Sequence, residues 1–243
     1  MFYKFVIYVK YDQVKDNIFM SFEKKRLWLA LLPSIVFVSL IWLVFVLNIA
    51  GLLGPDFSQL GVLPRELKGL RGVIFSPFIH SSVSHILSNT LPLLILIWFL
   101  FYFYSKIAFS TFAYLWILCG FITWIIGRGY YHVGSSGLVF SIMFFLFFSG
   151  VFRKSRQLIA VSLVVAFIYG STVWSIFPFA ELVDASISWE GHLAGTLSGL
   201  ITAIVLRHKG PQKAEEVWED EDEEDETEGN GEMNNKEFNE VNN

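Results

Sequence analysis

Long apolar stretches alternate with short polar segments along most of the chain. Six of these stretches approach or exceed the roughly 17–25 residues that an α-helix needs to cross a bilayer. Their approximate bounds are 27–50, 83–104, 107–126, 135–152, 157–178 and 190–207. The pattern therefore predicts an all-α membrane protein whose six transmembrane helices form one bundle.

Lysine and arginine are distributed unevenly among the segments that connect the apolar stretches. One alternating set holds 14 of these residues, in segments 1–26, 105–106, 153–156 and 207–243. The other set holds 4, in segments 51–82, 127–134 and 179–189. Because cytoplasmic segments are the more basic ones, we expect a multi-pass protein of the plasma membrane with both termini in the cytoplasm.

Composition and charge divide the chain into three expected regions. Hydrophobic residues make up 54% of the sequence and the mean hydropathy is +0.53, values that exclude an ordinary soluble domain. The net charge of -4 averages two different regions, since residues 211–243 carry 14 Asp/Glu against 2 Lys. We expect a basic cytoplasmic segment at 1–26, a six-span domain at 27–207 and an acidic, disordered cytoplasmic tail at 208–243. Met20 precedes a basic cluster, so residues 1–19 could be an upstream extension, from a misplaced start codon, that is not part of the mature chain.

The first outer loop, at about 51–82, is the longest connection within the predicted bundle. Its sequence is too apolar for a free loop, and leucines alternate with charged residues after Pro64. Proline suits the first turn of a helix. We therefore expect this loop to lie in the membrane interface and to contain a short helix that begins at Pro64.

Polar side chains lie at the start of three predicted spans. The second span begins with His80, His85 and Asn89, the fourth with Ser136 and the sixth with His192. The orientation inferred from lysine and arginine places all three starts at the outer surface. These five side chains are therefore expected to share one layer, and polar groups inside a membrane usually have a function or a partner.

Serine hydrolysis is the chemistry that best fits these residue types. Gly195 and Gly199 lie on the same helical face as His192, so the backbone of the sixth span can approach the fourth closely. His192 could then take the proton of Ser136, because a serine hydroxyl needs a base to become a nucleophile. No carboxylate is suitably placed to orient His192, so a Ser–His dyad is expected rather than a triad.

Other residues near these spans can serve the same reaction, and other chemistries are less well supported. A side-chain N–H of Asn89 and a ring N–H of His85 or His80 could stabilise an oxyanion. No His-Glu-x-x-His motif is present, and the predicted spans hold no aspartate pair. A metal site formed by the three histidines remains an alternative, although no cofactor, metal or nucleic acid is expected. The single cysteine, Cys119, excludes an intrachain disulfide.

Three motifs together resemble the rhomboid family of intramembrane serine proteases. They are Gly134-x-Ser136-Gly137, His80-x4-His85-x3-Asn89 and His192-x2-Gly195-x3-Gly199. The resemblance implies that Ser136 is the nucleophile, His192 the base, and Asn89 and His85 the oxyanion partners. It also implies a bundle, of the bacterial six-span type, whose water-filled cavity admits a transmembrane substrate from the side. The four glycines would allow close packing around the dyad.

The sequence departs from the family pattern at two places and leaves alternatives open. Phe140 stands where the family often has tyrosine, so a ring can still pack on His192 but without a hydroxyl. Leu70-Arg71 stands near the position of a frequent Trp-Arg pair. The leading hypothesis is a protease that cuts transmembrane proteins in the bilayer. The first alternative is an inactive rhomboid-like protein that binds membrane clients. The second is a small transporter or haem-bearing bundle. In the protease, loop 179–189 and Gly191 are expected to form a gate.

Overall fold

The computed structural model describes residues 2–179 and 188–212. These residues form seven α-helices, numbered here in chain order: α1 Phe2–Ile49, α2 Gly72–Phe75, α3 Val83–Phe103, α4 Ala108–Ile126, α5 Ser136–Arg153, α6 Arg156–Tyr169 and α7 Trp189–Val205. Four helices in the described part of the chain are long and apolar enough to cross a membrane, namely α3, α4, α5 and the portion Met20–Ile49 of α1. The expectation of a helical, multi-pass membrane protein is confirmed to this extent.

Polar residues at the helix ends explain where several helices begin and stop. Ser82 caps α3, since its hydroxyl accepts a hydrogen bond from the His85 backbone N–H at 3.1 Å. Ser188 caps α7 in the same way by accepting from Gly191 N–H at 3.2 Å. At the other end of α5, Lys154 takes a left-handed conformation with φ of 52° and terminates the helix.

Helix α5 lies at the centre of the bundle. It packs against α3, α4, α6 and α7, while α1 packs on α3 and α4 packs on α7. Large apolar side chains such as Leu100, Ile142 and Phe145 are fully buried in the shared core. The central position explains why α5 is the most buried of the four candidate spans. Ser136, at the start of α5, is thereby brought within reach of several neighbouring elements.

The fifth and sixth apolar stretches form shorter helices than the other four. Helix α6 has 14 residues, and a 3₁₀ segment of 7 residues, Gly170–Ile176, follows it directly. Helix α7 has 17 residues. Both helices are apolar along most of their length, but neither reaches the 18 residues of the shortest candidate span.

The first loop packs on α4 instead of extending freely. Trp116 and Trp124 of α4 donate their indole N–H groups to the carbonyls of Val73 and Glu66, at 3.0 and 2.9 Å. Val62 forms an isolated antiparallel bridge with His132. The loop contains two 3₁₀ segments, Phe57–Leu60 and Leu67–Arg71, followed by α2.

The expectation that Pro64 begins a short helix is wrong. Pro64 occupies a turn in which Arg65 has a φ of 61°, and the 3₁₀ segment begins only at Leu67. The turn is stabilised because the Arg65 guanidinium donates to the Gly127 carbonyl at 2.8 Å, and its backbone N–H donates to the Trp124 carbonyl at 3.0 Å. These carbonyls belong to the end of α4, where cationic side chains are favoured.

Two expectations fall wholly or mainly outside the described residues. The acidic tail was expected at 208–243, of which residues 213–243 are not described. The gate was expected at 179–189, of which residues 180–187 are not described. Both remain predictions from the sequence.

Candidate active site

Ser136 and His192 meet at the start of two neighbouring helices. Ser136 is the first residue of α5 and His192 lies in the first turn of α7. The Ser136 hydroxyl oxygen is 2.9 Å from His192 Nε2, which is hydrogen-bonding distance. His192 is buried, at 8% exposure, and Ser136 is half-buried, so the pair is only partly accessible to solvent.

The other ring nitrogen of His192 and one ring face have partners of their own. Nδ1 lies 3.1 Å from the Ser175 carbonyl oxygen and 2.8 Å from the Ser175 hydroxyl. The ring of Phe140 stacks on the imidazole with centroids 4.4 Å apart and an interplanar angle of 14°. These contacts fix the orientation of the ring from three directions, since Nε2 faces Ser136.

Small residues allow α5 and α7 to approach closely next to this pair. A Cβ atom at Gly195 would overlap the Gly137 carbonyl oxygen and lie 2.9 Å from Phe140 Cβ. A Cβ atom at Gly199 would lie 2.6 Å from the Ser141 carbonyl oxygen. Gly137 itself faces Cys119 Sγ and the Gly191 carbonyl, at 2.9 and 3.1 Å from where its own Cβ would be. The glycine face of α7 is thus the face that contacts α5.

A second polar cluster lies beside Ser136. His80 Nε2 is 3.2 Å from the Ser135 hydroxyl and 3.5 Å from Asn89 Nδ2, and Asn89 also donates to the His85 carbonyl at 2.9 Å. The rings of His80 and His85 are 4.9 Å apart. Burial, together with the neighbouring His85, lowers the pKa of His80 to about 4, so this ring is neutral at pH 7.

Gly134 leaves room for the ring of His85 beside the turn that precedes Ser136. Its φ of 107° falls in a region that side chains disfavour. A Cβ atom there would also be 2.6 Å from His85 Nε2. The Gly134 backbone N–H donates to the Ser76 carbonyl at 2.9 Å, which connects this turn to the first loop. The positive φ therefore favours glycine at position 134, and a side chain there would also displace the ring of His85.

A third cluster joins the loop before α5 to the start of α7. Glu190 is 1% exposed and its carboxylate accepts two hydrogen bonds from the Arg128 guanidinium. This hydrogen bonding raises the pKa of Arg128. Nearby, His132 Nδ1 is 2.7 Å from the hydroxyl of Ser188, the residue that caps α7. Burial lowers the pKa of His132, which favours its neutral form.

A small cavity adjoins Ser136 on the side of the first loop. Its volume is about 40 Å³, and Ser136, Gly137, His132, Ser188 and Gly191 are among the residues that line it. A water molecule needs roughly 10–15 Å³ of space, so the cavity is large enough to hold water. Polar groups of His132 and Ser188 line part of it and can form hydrogen bonds with a water molecule.

The structure brings most of the residues selected from the sequence into one region. Ser136, His192, Phe140 and the glycines of both helices are in direct contact, whereas His80 contacts Ser135 and Asn89 rather than Ser136. Among the residues that the structure describes, no group of three or more His, Cys, Asp or Glu has a metal-binding arrangement.

Sequence reasoning missed two residues of the site. Ser175 is one of three serines in the apolar stretch 157–178, and nothing in its spacing relates it to His192. His132 follows two tyrosines in a loop, and only its rarity as one of 5 histidines marks it. Both reach the site through contacts between segments distant in the chain.

Comparisons with known proteins agree with these motifs. A family model described as the Rhomboid domain matches residues 68–209. An uncharacterised protein of Mycobacterium bovis is 35% identical over 179 residues, covering 71% of this chain and 73% of that protein. An uncharacterised protein of Mycobacterium tuberculosis matches to the same extent. Another, from Mycobacterium leprae, is 30% identical over 182 residues, or 71% of this chain and 69% of that protein.

Proposed function

The chain belongs to the rhomboid family, and we propose that it is an intramembrane serine endopeptidase. It hydrolyses peptide bonds in or near the transmembrane segments of other membrane proteins. Ser136 is the nucleophile and His192 is the general base. The observation that carries the proposal is the 2.9 Å contact between the Ser136 hydroxyl and His192 Nε2, because a hydroxyl becomes a nucleophile when a base accepts its proton.

The tautomer of His192 favours this direction of proton transfer. A carbonyl oxygen only accepts hydrogen bonds, so the Ser175 carbonyl at 3.1 Å requires a proton on His192 Nδ1. In the neutral ring, Nε2 then carries the lone pair that accepts the Ser136 proton. Ser175 acts here as a positioning residue, and Phe140 holds the plane of the ring. This arrangement replaces the carboxylate of a triad with a serine carbonyl and hydroxyl.

The oxyanion that forms on the substrate carbonyl would be stabilised by donors at the start of α5 and α3. The first backbone N–H groups of a helix have no intrahelical acceptor, and Ser136 and Gly137 supply two of them. Asn89 and His85 add side-chain donors, as the family resemblance implies. We assign His80 an indirect role, since its Nε2 contacts Asn89 and Ser135. The small cavity beside Ser136 would hold the water that hydrolyses the acyl-enzyme.

The proposed protease crosses the membrane six times. Besides the four long helices, α6 and its 3₁₀ extension would span about 35 Å, at 1.5 and 2.0 Å per residue. Helix α7 would span about 26 Å, compared with a hydrocarbon core of about 30 Å. The distribution of basic residues supports cytoplasmic termini and an outer active site. The proposal places the protein in the plasma membrane, with the apolar first loop in the outer interface. The domain would be residues 27–207, flanked by the basic segment 1–26 and the acidic tail 208–243.

Other transmembrane proteins are the proposed partners whether the chain is an active protease or an inactive member of the family. In the alternative reading, an inactive rhomboid-like protein binds transmembrane proteins without cutting them. The contact between Ser136 and His192 disfavours this alternative, because binding alone requires neither a base nor its orientation by Ser175.

Labelling with a fluorophosphonate probe tests the proposal directly. The purified protein should be labelled at Ser136, and labelling should disappear in Ser136→Ala and His192→Ala. Ser135→Ala is the matched control, because Ser135 is the adjacent serine and contacts His80 rather than His192; it should retain labelling. An unlabelled wild-type protein, or modification at Ser135, would refute the assignment. Incubation with single-span membrane proteins in liposomes would then distinguish cleavage from binding.

A further inference from the structure

The end of the bundle opposite the Ser136–His192 pair contains a second and larger cavity. Its volume is about 670 Å³, and it lies between α1 and the turn that joins α3 to α4. His85, at the active-site end of α3, and Phe101, which lines the cavity, are 16 residues apart. At 1.5 Å per residue the cavity therefore lies about 24 Å farther along the bundle. This distance places it in the opposite leaflet from the active site.

Three cationic side chains converge on this cavity from two separate elements. Lys25 and Arg26 come from α1, and Lys106 comes from the turn after α3. Among the residues that the structure describes, no Asp or Glu lines the cavity. Neither lysine forms a hydrogen bond or ion pair with another residue in the described part of the chain, and both are exposed. The two lysines are therefore available to an anionic ligand.

Arg26 is held in place by contacts that leave the cavity with a net positive charge. Its guanidinium donates to the Tyr102 carbonyl at 2.9 Å and lies 4.7 Å above the centre of the Tyr102 ring. Glu23 lies 3.4 Å from Arg26 and accepts a hydrogen bond from the Tyr102 hydroxyl at 3.0 Å. Glu23 thus offsets part of the arginine charge, while the charges of Lys25 and Lys106 stay uncompensated.

The remaining walls of the cavity are mainly apolar. Leu29, Ala30 and Phe101 line it, and Leu29 is 56% exposed while Phe101 is 9% exposed. Phe22, which is 67% exposed, completes this apolar part. A soluble phosphate would satisfy the lysines and leave these surfaces uncovered. A ligand that has both an anionic head and a hydrocarbon chain would cover both parts, and the volume lies within the range of small-molecule sites.

We propose that this cavity binds an anionic glycerophospholipid of the leaflet opposite the active site. The phosphate lies between Lys25 and Lys106, with the Ser105 hydroxyl as a further donor, and the first part of an acyl chain lies along Leu29 and Phe101. A zwitterionic phosphatidylcholine fits less well, because its choline brings a positive charge towards the lysines. The ligand would connect α1 to the α3–α4 turn, two elements that are distant from each other in the sequence.

Native mass spectrometry of the full chain released from detergent can measure this preference. The probes are phosphatidylglycerol, phosphatidylcholine and sn-glycerol 3-phosphate. We expect phosphatidylglycerol to bind more tightly than the other two. In the double variant Lys25→Gln/Lys106→Gln its affinity should fall about thirty-fold, on the basis of roughly fivefold for each lysine near a lipid headgroup. Leu29→Asn should weaken phosphatidylglycerol binding without changing the weaker binding of glycerol phosphate.

The matched control is Lys154→Gln/Lys209→Gln, which removes the same charge at the same end of the bundle but outside the cavity. It should leave phosphatidylglycerol binding within twofold of the wild type. Equal binding of phosphatidylglycerol and phosphatidylcholine would overturn the proposal. Equal losses in the two double variants would do so as well, because they would indicate general attraction to a basic surface. Binding of glycerol phosphate as tight as that of the lipid would indicate a soluble phosphate site instead.

Discussion

Replacement of Gly195 by alanine tests whether helix contact sets the geometry of the proposed dyad. Gly195 touches neither reacting atom, but it lies one turn after His192 and directly against α5. A Cβ atom there would overlap the Gly137 carbonyl oxygen and lie 2.9 Å from Phe140 Cβ. Neither atom can rotate away, since one belongs to the backbone and the other is fixed to it. The helices must therefore separate.

The size of the effect follows from these distances. Carbon atoms pack at roughly 3.5–4.0 Å, so α7 must move away from α5 by roughly 1 Å at this point. The same movement would lengthen the 2.9 Å contact between Ser136 and His192 to nearly 4 Å, beyond hydrogen-bonding distance. A displacement of about 1 Å can cost about 100-fold in rate. The overpacking also lowers the free energy of unfolding by about 1–3 kcal/mol. The higher helix propensity of alanine compared with glycine offsets about 1 kcal/mol of this loss.

The assay is the rate of fluorophosphonate labelling of Ser136, measured together with the thermal unfolding midpoint in detergent. Gly195→Ala should lose about 100-fold in labelling rate while it remains folded. The control is Gly170→Ala, which has a helical φ of -59° and no atom within 4 Å of the added Cβ; it should label at the wild-type rate. A folded Gly195→Ala protein that is labelled as fast as the wild type would refute the reasoning.

Three further predictions concern the surroundings of the dyad. Ser175→Ala removes the 2.8 Å hydroxyl contact to His192, so labelling should slow several-fold at an unchanged unfolding midpoint, and Ser175→Thr should restore it. Arg128→Gln leaves the buried Glu190 carboxylate without its guanidinium and should cost about 1–3 kcal/mol in chemical denaturation, part of which Arg128→Gln/Glu190→Gln should recover. The pKa of His80 is about 4 in the folded protein and 6.5 ordinarily. Between pH 4 and 6.5 the unfolded chain therefore binds more protons at this residue than the folded protein does. The contribution of neutral His80 to the free energy of unfolding is about 3 kcal/mol; it is complete above pH 6.5 and is lost as the pH falls towards 4. Denaturation at several pH values should show a shallower acid slope in His80→Gln.

Some of the membrane spans could be predicted from the sequence more accurately than others. The stretches predicted at 83–104, 107–126 and 135–152 correspond closely to α3, α4 and α5, because uninterrupted apolar residues with polar ends leave helix as the one way to satisfy the backbone in a membrane. The stretch at 157–178 divides into α6 and a 3₁₀ segment that carries Ser175. The local signal for that division is weak: Gly170 is followed by Ser171 and Thr172, but apolar residues continue on both sides of them.

The first loop shows the same limit of local information. Its apolar character predicts a position in the membrane interface, and in the structure the loop packs on α4. The position of Pro64 suggested a helix start, whereas contacts with the end of α4 select a turn. Local propensity is a weak preference that hydrogen bonds from another part of the chain can reverse.

The sequence by itself determined the family, the helical membrane character and the set of chemically capable residues at the starts of α3, α5 and α7. These depend on composition, periodicity and spacing, which are local properties. Only the tertiary structure decided the distances between them. Ser136 and His192 are 56 residues apart in the chain, and their contact exists because glycines let two helix backbones touch. The partner of His192 Nδ1 was decided in the same way, because Ser175 reaches it through packing between α7 and the segment after α6, which no spacing in the sequence records.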